Sequence, residues 1–169
     1  TPTGIAVNND DIIWVIENHT HVRQDDYPGP DLDRLLIFDG YINDNPENKK
    51  VIEYATDFKN VMSLTLKDNG QVLIATRASI IQFTDLNNDF IADKRDTLIA
   101  LDTQEEFSHN GMSGLAIGPD NKIYFQCGEN FGSEYLMTGS DETTILGEER
   151  EGGSIYRCNM DGSNLERIG

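Results

Sequence analysis

One short pattern of strands and turns occurs three times along the chain, and this repeat constrains the fold more than any other feature. Each copy begins with a small residue and a short apolar run, continues through a turn rich in Asn, Asp or Gly, and returns as a second apolar run. The copies begin at Gly4, Ser63 and Gly114, at intervals of roughly 50–60 residues. Runs of β-branched and aromatic residues separated by such turns are typical of antiparallel hairpins. The sequence therefore predicts a repeating all-β structure.

Further apolar runs extend each copy beyond its hairpin. A third strand is predicted at 34–39, 79–85 and 154–159, and a fourth at 51–55 and 97–101. Four antiparallel strands in a repeat of this length make one blade of a β-propeller. We therefore predict an all-β, partial β-propeller of about three four-stranded antiparallel blades: blade 1 at about 1–58, blade 2 at about 59–103 and blade 3 at about 104–169. Strand aromatics such as Trp14 are expected to be core residues between blades.

Strand direction sorts the loops of such blades between two faces. The loops before the first strand and after the second share one face, here called the top face. The top face is expected to collect residues 17–23, Arg77, 104–112 and 129–135. The bottom face is expected to collect the turns that join the first strand to the second and the third strand to the fourth. An open arc leaves its end flanks uncovered, so we expect an excerpt of a longer polypeptide that supplies the remaining blades.

Blade 3 contains the most specific sequence motifs of the chain. Residues 108–125 read SHNGMSGLAIGPDNKIYF, and residues 152–163 read GGSIYRCNMDGS. This resembles the soluble quinoprotein glucose and aldose sugar dehydrogenases, in which a His precedes the first strand of a blade, a "GPD-K-Y" hairpin follows and a "G-R-NxDG" strand pair completes the blade. Residues 17–21 (ENHTH) and 27–30 (YPGP) are similar to the large membrane-bound dehydrogenase propellers of planctomycete and verrucomicrobial type, which are often joined to a c-type cytochrome.

The resemblance implies a six-bladed ring and a specific chemistry. His109 matches the family's catalytic base, which takes a proton from a sugar hydroxyl while hydride passes to pyrroloquinoline quinone (PQQ). An imidazole with an unperturbed pKa near 6.5 suits that role. The candidate cofactor-binding or pocket residues on the same face are Arg77, Asn110, Glu129 and Asn130. The implied function is a sugar or alcohol dehydrogenase outside the cytoplasm, passing electrons from an aldose or polyol through PQQ to a c-type cytochrome.

The segment from Asp85 to Asp96 carries the strongest metal-binding pattern. Oxygen-bearing residues stand at positions 1, 3, 5, 9 and 12 of an EF-hand-like loop, with a backbone carbonyl at position 7: Asp85, Asn87, Asp89, Asp93, Asp96 and Ile91. Phe90 stands where the pattern usually has Gly. The sequence predicts a calcium site on the bottom face that braces a blade. The alternative is an Asx-rich turn satisfied by its own backbone.

Glu17, His19 and His21 form a second polar cluster. Because they alternate, an extended backbone would place all three side chains on one side. Two imidazoles and a carboxylate could hold a transition metal there, and a hydrogen-bonded network is the other interpretation. Glu129 and Asn130 repeat the pair formed by Glu17 and Asn18 after the second strand of another blade, which suggests a shared structural role.

Composition excludes some classes of partner. Acidic residues outnumber basic ones, 30 against 13, and the formal net charge is −17. This charge argues against a nucleic acid or an anionic membrane surface and favours cations and basic proteins. No apolar run approaches the roughly 20 residues that span a bilayer, so no membrane insertion is expected of this segment. Cys127 and Cys158 lack zinc, CxxC or haem-attachment spacing, and the sequence leaves open a disulfide or two separate buried thiols.

Two other functions are compatible with these patterns, because propellers serve both catalysis and binding. One is a calcium-braced propeller that binds carbohydrate or protein without chemistry. The other is a structural subunit of a larger assembly.

Overall fold

The computed structural model describes residues 2–42, 46–104, 111–128, 133–147 and 152–169. Within these residues the chain forms β-strands and one short 3-10 helix at Pro46–Asn48. No helix in this part of the chain is long and apolar enough to cross a membrane. The all-β prediction is confirmed.

Three antiparallel sheets follow one another along the chain. Blade 1 contains β1 (Pro2–Val7), β2 (Ile13–Glu17), β3 (Asp33–Asp39) and β4 (Lys50–Phe58) in that order. Blade 2 contains β5 (Val61–Leu66), β6 (Val72–Thr76), β7 (Ser79–Thr84) and β8 (Lys94–Thr103). Blade 3 contains β9 (Met112–Ile117), β10 (Lys122–Cys127), β13 (Ser154–Asn159) and the short β14 (Glu166–Arg167). Each strand overlaps the run of residues that predicted it, apart from β14, for which no run was identified.

A hairpin within the segment that joins β10 to β13 was not predicted. Strands β11 (Tyr135–Gly139) and β12 (Thr144–Gly147) pair with each other, and β11 pairs antiparallel with β8, with Tyr135 opposite Thr103. Blade 2 is therefore extended to six strands, in the order β12-β11-β8-β7-β6-β5. The two outer strands of this sheet come from the part of the chain that otherwise builds blade 3.

The core lies in two layers between the blades. The alternation of β6 shows the arrangement, because all five of its residues are buried. Val72 and Ile74 pack with Trp14, Tyr54 and other residues of blade 1. Leu73 and Ala75 pack toward blade 3, in a cluster that includes Phe125, Tyr156 and Cys158. A strand whose two faces are both buried is expected for the middle sheet of a stack.

The first strands of the blades lie beside one another, with β5 in contact with both β1 and β9. Thr3 Oγ1 donates a hydrogen bond to Val61 O at 3.0 Å, and Leu115 N donates to Ser63 Oγ at 2.9 Å. A Cβ added to Gly4 would lie 2.8 Å from Ile16 Cδ1 and 3.3 Å from Leu64 Cδ2, so a larger residue here would displace these buried side chains. Gly114 has a positive φ of 65°, which favours glycine. These contacts explain the small residue that begins two of the three repeats.

Candidate functional site

The buried carboxylate of Asp33 organises the blade 1 part of the top face. Its side chain is fully buried, and Oδ1 accepts hydrogen bonds from His19 N at 2.7 Å, Thr20 N at 3.0 Å and Thr20 Oγ1 at 2.9 Å. Oδ2 accepts a hydrogen bond from Val61 N, the first residue of β5, at 3.0 Å. Asp33 therefore fixes the loop after β2 to the beginning of blade 2.

Asn18 makes the same connection from the loop side. Its Oδ1 accepts hydrogen bonds from Thr20 N and His21 N, and its Nδ2 donates to Val61 O at 2.9 Å. Asn60 N donates to Thr20 Oγ1 at 2.7 Å. The side chain of Asn18 is 5% exposed. In blade 1 the Glu-Asn pair therefore includes a structural asparagine that holds the loop against the next blade.

Glu17 and His19 lie together in a hydrogen-bonded network. His19 Nε2 is 3.1 Å from Glu17 Oε2, and His19 Nδ1 is 2.6 Å from the Tyr27 hydroxyl. Arg34 Nε donates to Glu17 Oε2 at 2.7 Å. Burial raises the pKa of Glu17, but hydrogen bonds from His19 and Arg34 outweigh it and hold that pKa below its ordinary value.

This network includes Glu17 and His19, two of the three residues predicted to bind a transition metal. The backbone N–H of His21 bonds to Asn18, so His21 belongs to the same loop as His19. Within the described ranges, no group of three or more His, Cys, Asp or Glu side chains is arranged to hold a metal ion. The polar atoms of Glu17 and His19 have Arg34 and Tyr27 as partners, and metal binding by Glu17, His19 and His21 stays a prediction.

Arg77 lies close to Gly111 and Gly128. These two glycines border residues 105–110 and 129–132, which lie outside the described residues. Met112 N donates to Arg77 O at 3.2 Å, and Gly128 N donates to Gly111 O at 3.3 Å. A Cβ on Gly111 would lie 2.4 Å from Arg77 Cα, so the two backbones are in close contact. Arg77 N also donates to Asn60 O at 3.1 Å, which joins this point to the blade 1 network.

The four remaining top-face candidates, His109, Asn110, Glu129 and Asn130, lie outside the described residues. They are close in sequence to described residues that meet at Arg77. Asn110 directly precedes Gly111, and Glu129 directly follows Gly128. Their predicted roles stay predictions.

The predicted calcium loop gathers most of its candidate ligands at the turn between β7 and β8. Asp85 Oδ1 accepts from Asn87 N and Asn88 N, and Asp85 Oδ2 accepts from Phe90 N at 2.9 Å. Asp89 Oδ1 accepts from Ile91 N, and Asp93 Oδ2 accepts from Leu86 N at 2.7 Å. These oxygens form Asx-type turns that shape the loop.

Phe90 occupies the loop position at which the EF-hand pattern usually has Gly, and its backbone adopts the conformation expected of that Gly. It has a positive φ of 66°, the left-handed conformation that the pattern usually gives to Gly at this position. Its ring packs against the core between blades 1 and 2. The sharp turn is therefore made without the glycine.

Asp96 does not lie with the other calcium candidates. It is within β8, opposite Gln82, and its carboxylate is 2.7 Å from Lys94 Nζ. It lines a cavity between blades 2 and 3. The loop instead packs toward blade 1, because Ala92 N donates to Tyr54 O at 2.9 Å. Because no group of three or more acidic side chains in the described ranges is arranged to hold a metal ion, calcium binding by this loop stays a prediction. Its remaining candidate ligands are Asp85, Asn87, Asp89, Asp93 and the Ile91 carbonyl.

Grooves between successive blades form cavities on the bottom face, and two of them are lined by described residues. The larger, of about 870 Å³, lies between blades 2 and 3, and Lys67 lines it. Lys67 is 8% exposed, and its Nζ donates to Met160 O at 2.7 Å and to Gln82 Oε1. Burial lowers the pKa of Lys67, and the charge of Asp161 partly offsets this effect. The smaller cavity, of about 280 Å³, lies between blades 1 and 2.

Sequence reasoning did not identify Asp33 or Lys67. Lys67 appears in the sequence as the first residue of an ordinary Lys-Asp-Asn-Gly turn. Asp33 stands in an Asp-rich segment beside Asp31. The sequence gives one indication of a role for these residues. Asp33 stands at the beginning of a strand and Lys67 directly follows one, and the loops at strand ends build the two faces.

The cysteines are two separate buried thiols. In the ladder between β10 and β13, Ile123 lies opposite Cys158 and Cys127 lies opposite Ser154. The two sulfurs are thus displaced along the strands, and neither cysteine forms a disulfide. Burial raises the pKa of Cys127 to about 11, with Arg77 opposing the shift, and that of Cys158 to about 12.

Two solved structures share the β-propeller architecture of this chain. Virginiamycin B lyase from Staphylococcus aureus is 16% identical with a TM-score of 0.50, over 99% of this chain and 55% of that one. A luciferin-regenerating enzyme is 9% identical with a TM-score of 0.50, over 99% of this chain and 60% of that one. At these identities the likeness shows the fold alone, and it confirms a partial β-propeller. The chain spans a little over half the length of these two enzymes.

Sequence comparison supplies the family. No curated protein matches the chain. One family of related domains matches residues 1–168, almost the whole sequence. The chain therefore belongs to the family described as Domain of unknown function (DUF7133).

Proposed function

We propose that this chain is part of a dehydrogenase-like propeller that oxidises a sugar or alcohol on its top face, with His109 as the base. The observation that supports the proposal is the convergence at Arg77. Gly111 packs on Arg77, and Gly128 bonds to Gly111. The sequence neighbours of these two glycines are the residues with the required chemistry: His109, Asn110, Glu129 and Asn130.

Among the four proposed pocket residues, Arg77 lies within the described part of the chain, and its positive charge suits an anionic quinone. A guanidinium presents several N–H donors that suit a carboxylate such as those of PQQ. The acid of the neighbouring network, Glu17, is held by Arg34 and His19, so its charge is already compensated. In the proposed site Arg77, Asn110, Glu129 and Asn130 would contact cofactor and substrate, and bound PQQ would supply the hydride acceptor.

His109 would accept the proton of the substrate hydroxyl. A neutral imidazole can do so near neutral pH, because its unperturbed pKa lies near 6.5. The formal net charge of −17 suits a basic electron acceptor, and we propose a c-type cytochrome in a compartment outside the cytoplasm.

Dye reduction by the full-length protein tests this proposal. With PQQ and calcium added, we expect reduction of an artificial electron acceptor by at least one aldose or alcohol. We expect His109→Ala to lower kcat by about 100-fold or more, because general-base catalysis contributes about that much. Lys59→Ala, which removes an exposed charge near the same face, is the control and should retain activity.

Two results would contradict the proposal: no dye reduction with any substrate of the panel, or full activity in His109→Ala. Either result would favour the alternative, a calcium-braced propeller that binds carbohydrate or protein without chemistry.

A further inference from the structure

The cavity between blades 2 and 3 has the size of a small-molecule pocket, about 870 Å³. It opens on the bottom face, away from the reaction centre proposed for the top face. Its wall includes the apolar side chains of Leu66, Ile117 and Met160, which are only partly buried and so can contact a ligand. Lys67 lines the same cavity and is 8% exposed. The cavity therefore brings a primary amine together with an accessible apolar wall.

The surroundings of Lys67 disfavour its charged form. The other lysines of the chain are exposed or half-buried. No carboxylate of the described residues lies within ion-pair distance of Lys67 Nζ, and Asp161 acts on it from farther away. By contrast, Lys122 Nζ is 3.1 Å from Glu166 Oε1. Buried charges are normally paired, and burial without a close partner lowers the pKa of Lys67, which favours the neutral amine.

The hydrogen bonds of Lys67 suit a neutral amine. Its Nζ donates to Met160 O at 2.7 Å and to Gln82 Oε1. A neutral primary amine has two N–H groups and a lone pair, so these two acceptors satisfy it completely. An ammonium has three N–H groups, and the third has no acceptor among the described residues. The two bonds also hold the nitrogen in place, and a held amine with a free lone pair is a nucleophile.

The lining selects the electrophile that such an amine would meet. Lysine amines react with carbonyl carbons to form Schiff bases. Asp68 and Asp161 are exposed at the cavity, and their negative charges disfavour an anionic carbonyl compound. The wall at Leu66 and Ile117 favours an apolar body, because contact removes apolar surface from water. An aldehyde carbon is less hindered than that of a ketone, which suits the mostly buried Lys67.

We propose that this cavity binds a neutral aldehyde with an apolar body and that Lys67 Nζ captures it as an imine. The nitrogen lone pair attacks the carbonyl carbon, and a proton moves from nitrogen to the carbonyl oxygen. The resulting carbinolamine loses water, which carries away the second amine proton, and the C=N bond forms. When solvent protonates the imine, its nitrogen has one N–H to donate to Met160 O or Gln82 Oε1. The reaction needs no oxidant and does not depend on the dehydrogenase proposal.

Reductive trapping in the full-length protein tests this proposal. Hexanal is added with sodium cyanoborohydride, which reduces an imine to a stable secondary amine, and labelled peptides are identified by mass spectrometry. We expect Lys67 to be labelled about 10-fold faster than Lys122, because a bound aldehyde is held beside the amine. Lys122 is the matched control, since it is also partly buried but is paired with Glu166. The rate at Lys67 should saturate with hexanal, whereas the rate at Lys122 should rise in proportion to it.

Three comparisons separate a binding site from general lysine reactivity. Denaturation removes the cavity and should make the labelling rates of Lys67 and Lys122 similar. Glyoxylate, an anionic aldehyde, should lower the ratio of Lys67 to Lys122 labelling relative to hexanal. His109→Ala should leave the labelling of Lys67 unchanged, so failure of the top-face proposal is distinguishable from failure of this one. Labelling of Lys67 no faster than that of Lys122 in the folded protein, a rate that does not saturate, or a preference for glyoxylate would each overturn the proposal.

Discussion

Asp33 connects two blades through one buried carboxylate. Its two oxygens accept hydrogen bonds from both sides of the junction, at Thr20 in the loop after β2 and at Val61 in β5. Hydrogen bonds to a charged acceptor are stronger than neutral ones, and donors left unsatisfied in a buried position are costly. The geometry of the top face therefore depends on this residue.

Asp33→Asn should destabilise the protein by about 2–3 kcal/mol, because the amide group cannot accept at both positions and leaves a buried donor unpaired. Denaturant unfolding measures the free energy of unfolding directly. Asp31→Asn is the matched control, since the Asp31 side chain is 92% exposed in its contact with Arg23 and its removal should have little effect. Equal free energies of unfolding for the two variants would show that the hydrogen bonds of Asp33 do not stabilise the junction between the blades.

The two thiols should be protected from alkylation at pH 8 in the folded protein and become reactive on denaturation. Burial raises the pKa of Cys127 to about 11 and that of Cys158 to about 12, so neither forms thiolate near neutral pH. Mass spectrometry of the two peptides after iodoacetamide treatment checks this outcome. Labelling of either residue at the rate of a free thiol would contradict the buried placement.

The same pKa values give a pH dependence with a definite sign. The unfolded chain loses these protons near the ordinary cysteine value of about 9, whereas the folded protein keeps them. The stability that the thiols contribute is therefore fully present below pH 9 and declines as the pH rises through about 11–12.

Residue roles of this kind are poorly predicted from sequence, because their partners are distant along the chain. Asp31 and Asp33 are two positions apart in one polar segment, yet the first is exposed and the second is completely buried. The difference arises from Val61 and Thr20, which the sequence does not place near either residue. The same holds for Lys67, whose acceptor Met160 O belongs to another blade.

At the scale of elements, the loop from Asp85 to Asp93 is preshaped by its own carboxylates. Asp85 and Asp93 each accept backbone N–H groups across the loop. Calcium requires oxygen ligands on a turn of this kind, and the left-handed Phe90 supplies the turn. Because Asp96 lies apart, a calcium ion bound by this loop would lack the twelfth-position ligand, and we expect its affinity to be weak.

Calcium at millimolar concentration should raise the melting temperature by about 3–8 °C, which corresponds to a modest site near saturation. Asp89→Ala should abolish this increase, since it removes a loop ligand. Asp96→Asn should preserve it, because Asp96 faces the other side of blade 2. No increase in the wild-type protein would exclude the site, and loss of the response in Asp96→Asn would contradict the placement of that residue.

The strands themselves were predictable, because β-branched alternation and Asn, Asp or Gly turns specify hairpins locally. The hairpin of β11 and β12 was missed for a physical reason. Tyr135–Gly139 alternates between buried and partly exposed positions, which is a strand pattern, but it stands in a long polar segment. Its partner β8 belongs to another blade, so pairing between them could not be read from local sequence.

At the scale of the whole molecule, the two faces differ in how successive blades meet. On the top face, hydrogen bonds run from Asn18 through Val61, and from Asn60 through Arg77 to Met112. On the bottom face, the two cavities lie in the grooves between successive blades. The repeat in the sequence was sufficient to predict this stack, because each copy encodes four strands of its own sheet. The cavities arise between copies, and no single repeat contains the residues that line either one.

The transfer of β11 and β12 to blade 2 also affects the order in which the protein can assemble during synthesis. Strands β5 to β8 are complete once residue 103 has been made, but the outer edge of β8 gains its partner only when residues 135–139 have left the ribosome. Until then β8 presents unpaired backbone groups that another chain could bind. Blade 2 is thus completed by a segment that lies between the second and third strands of blade 3, so the two blades are completed together.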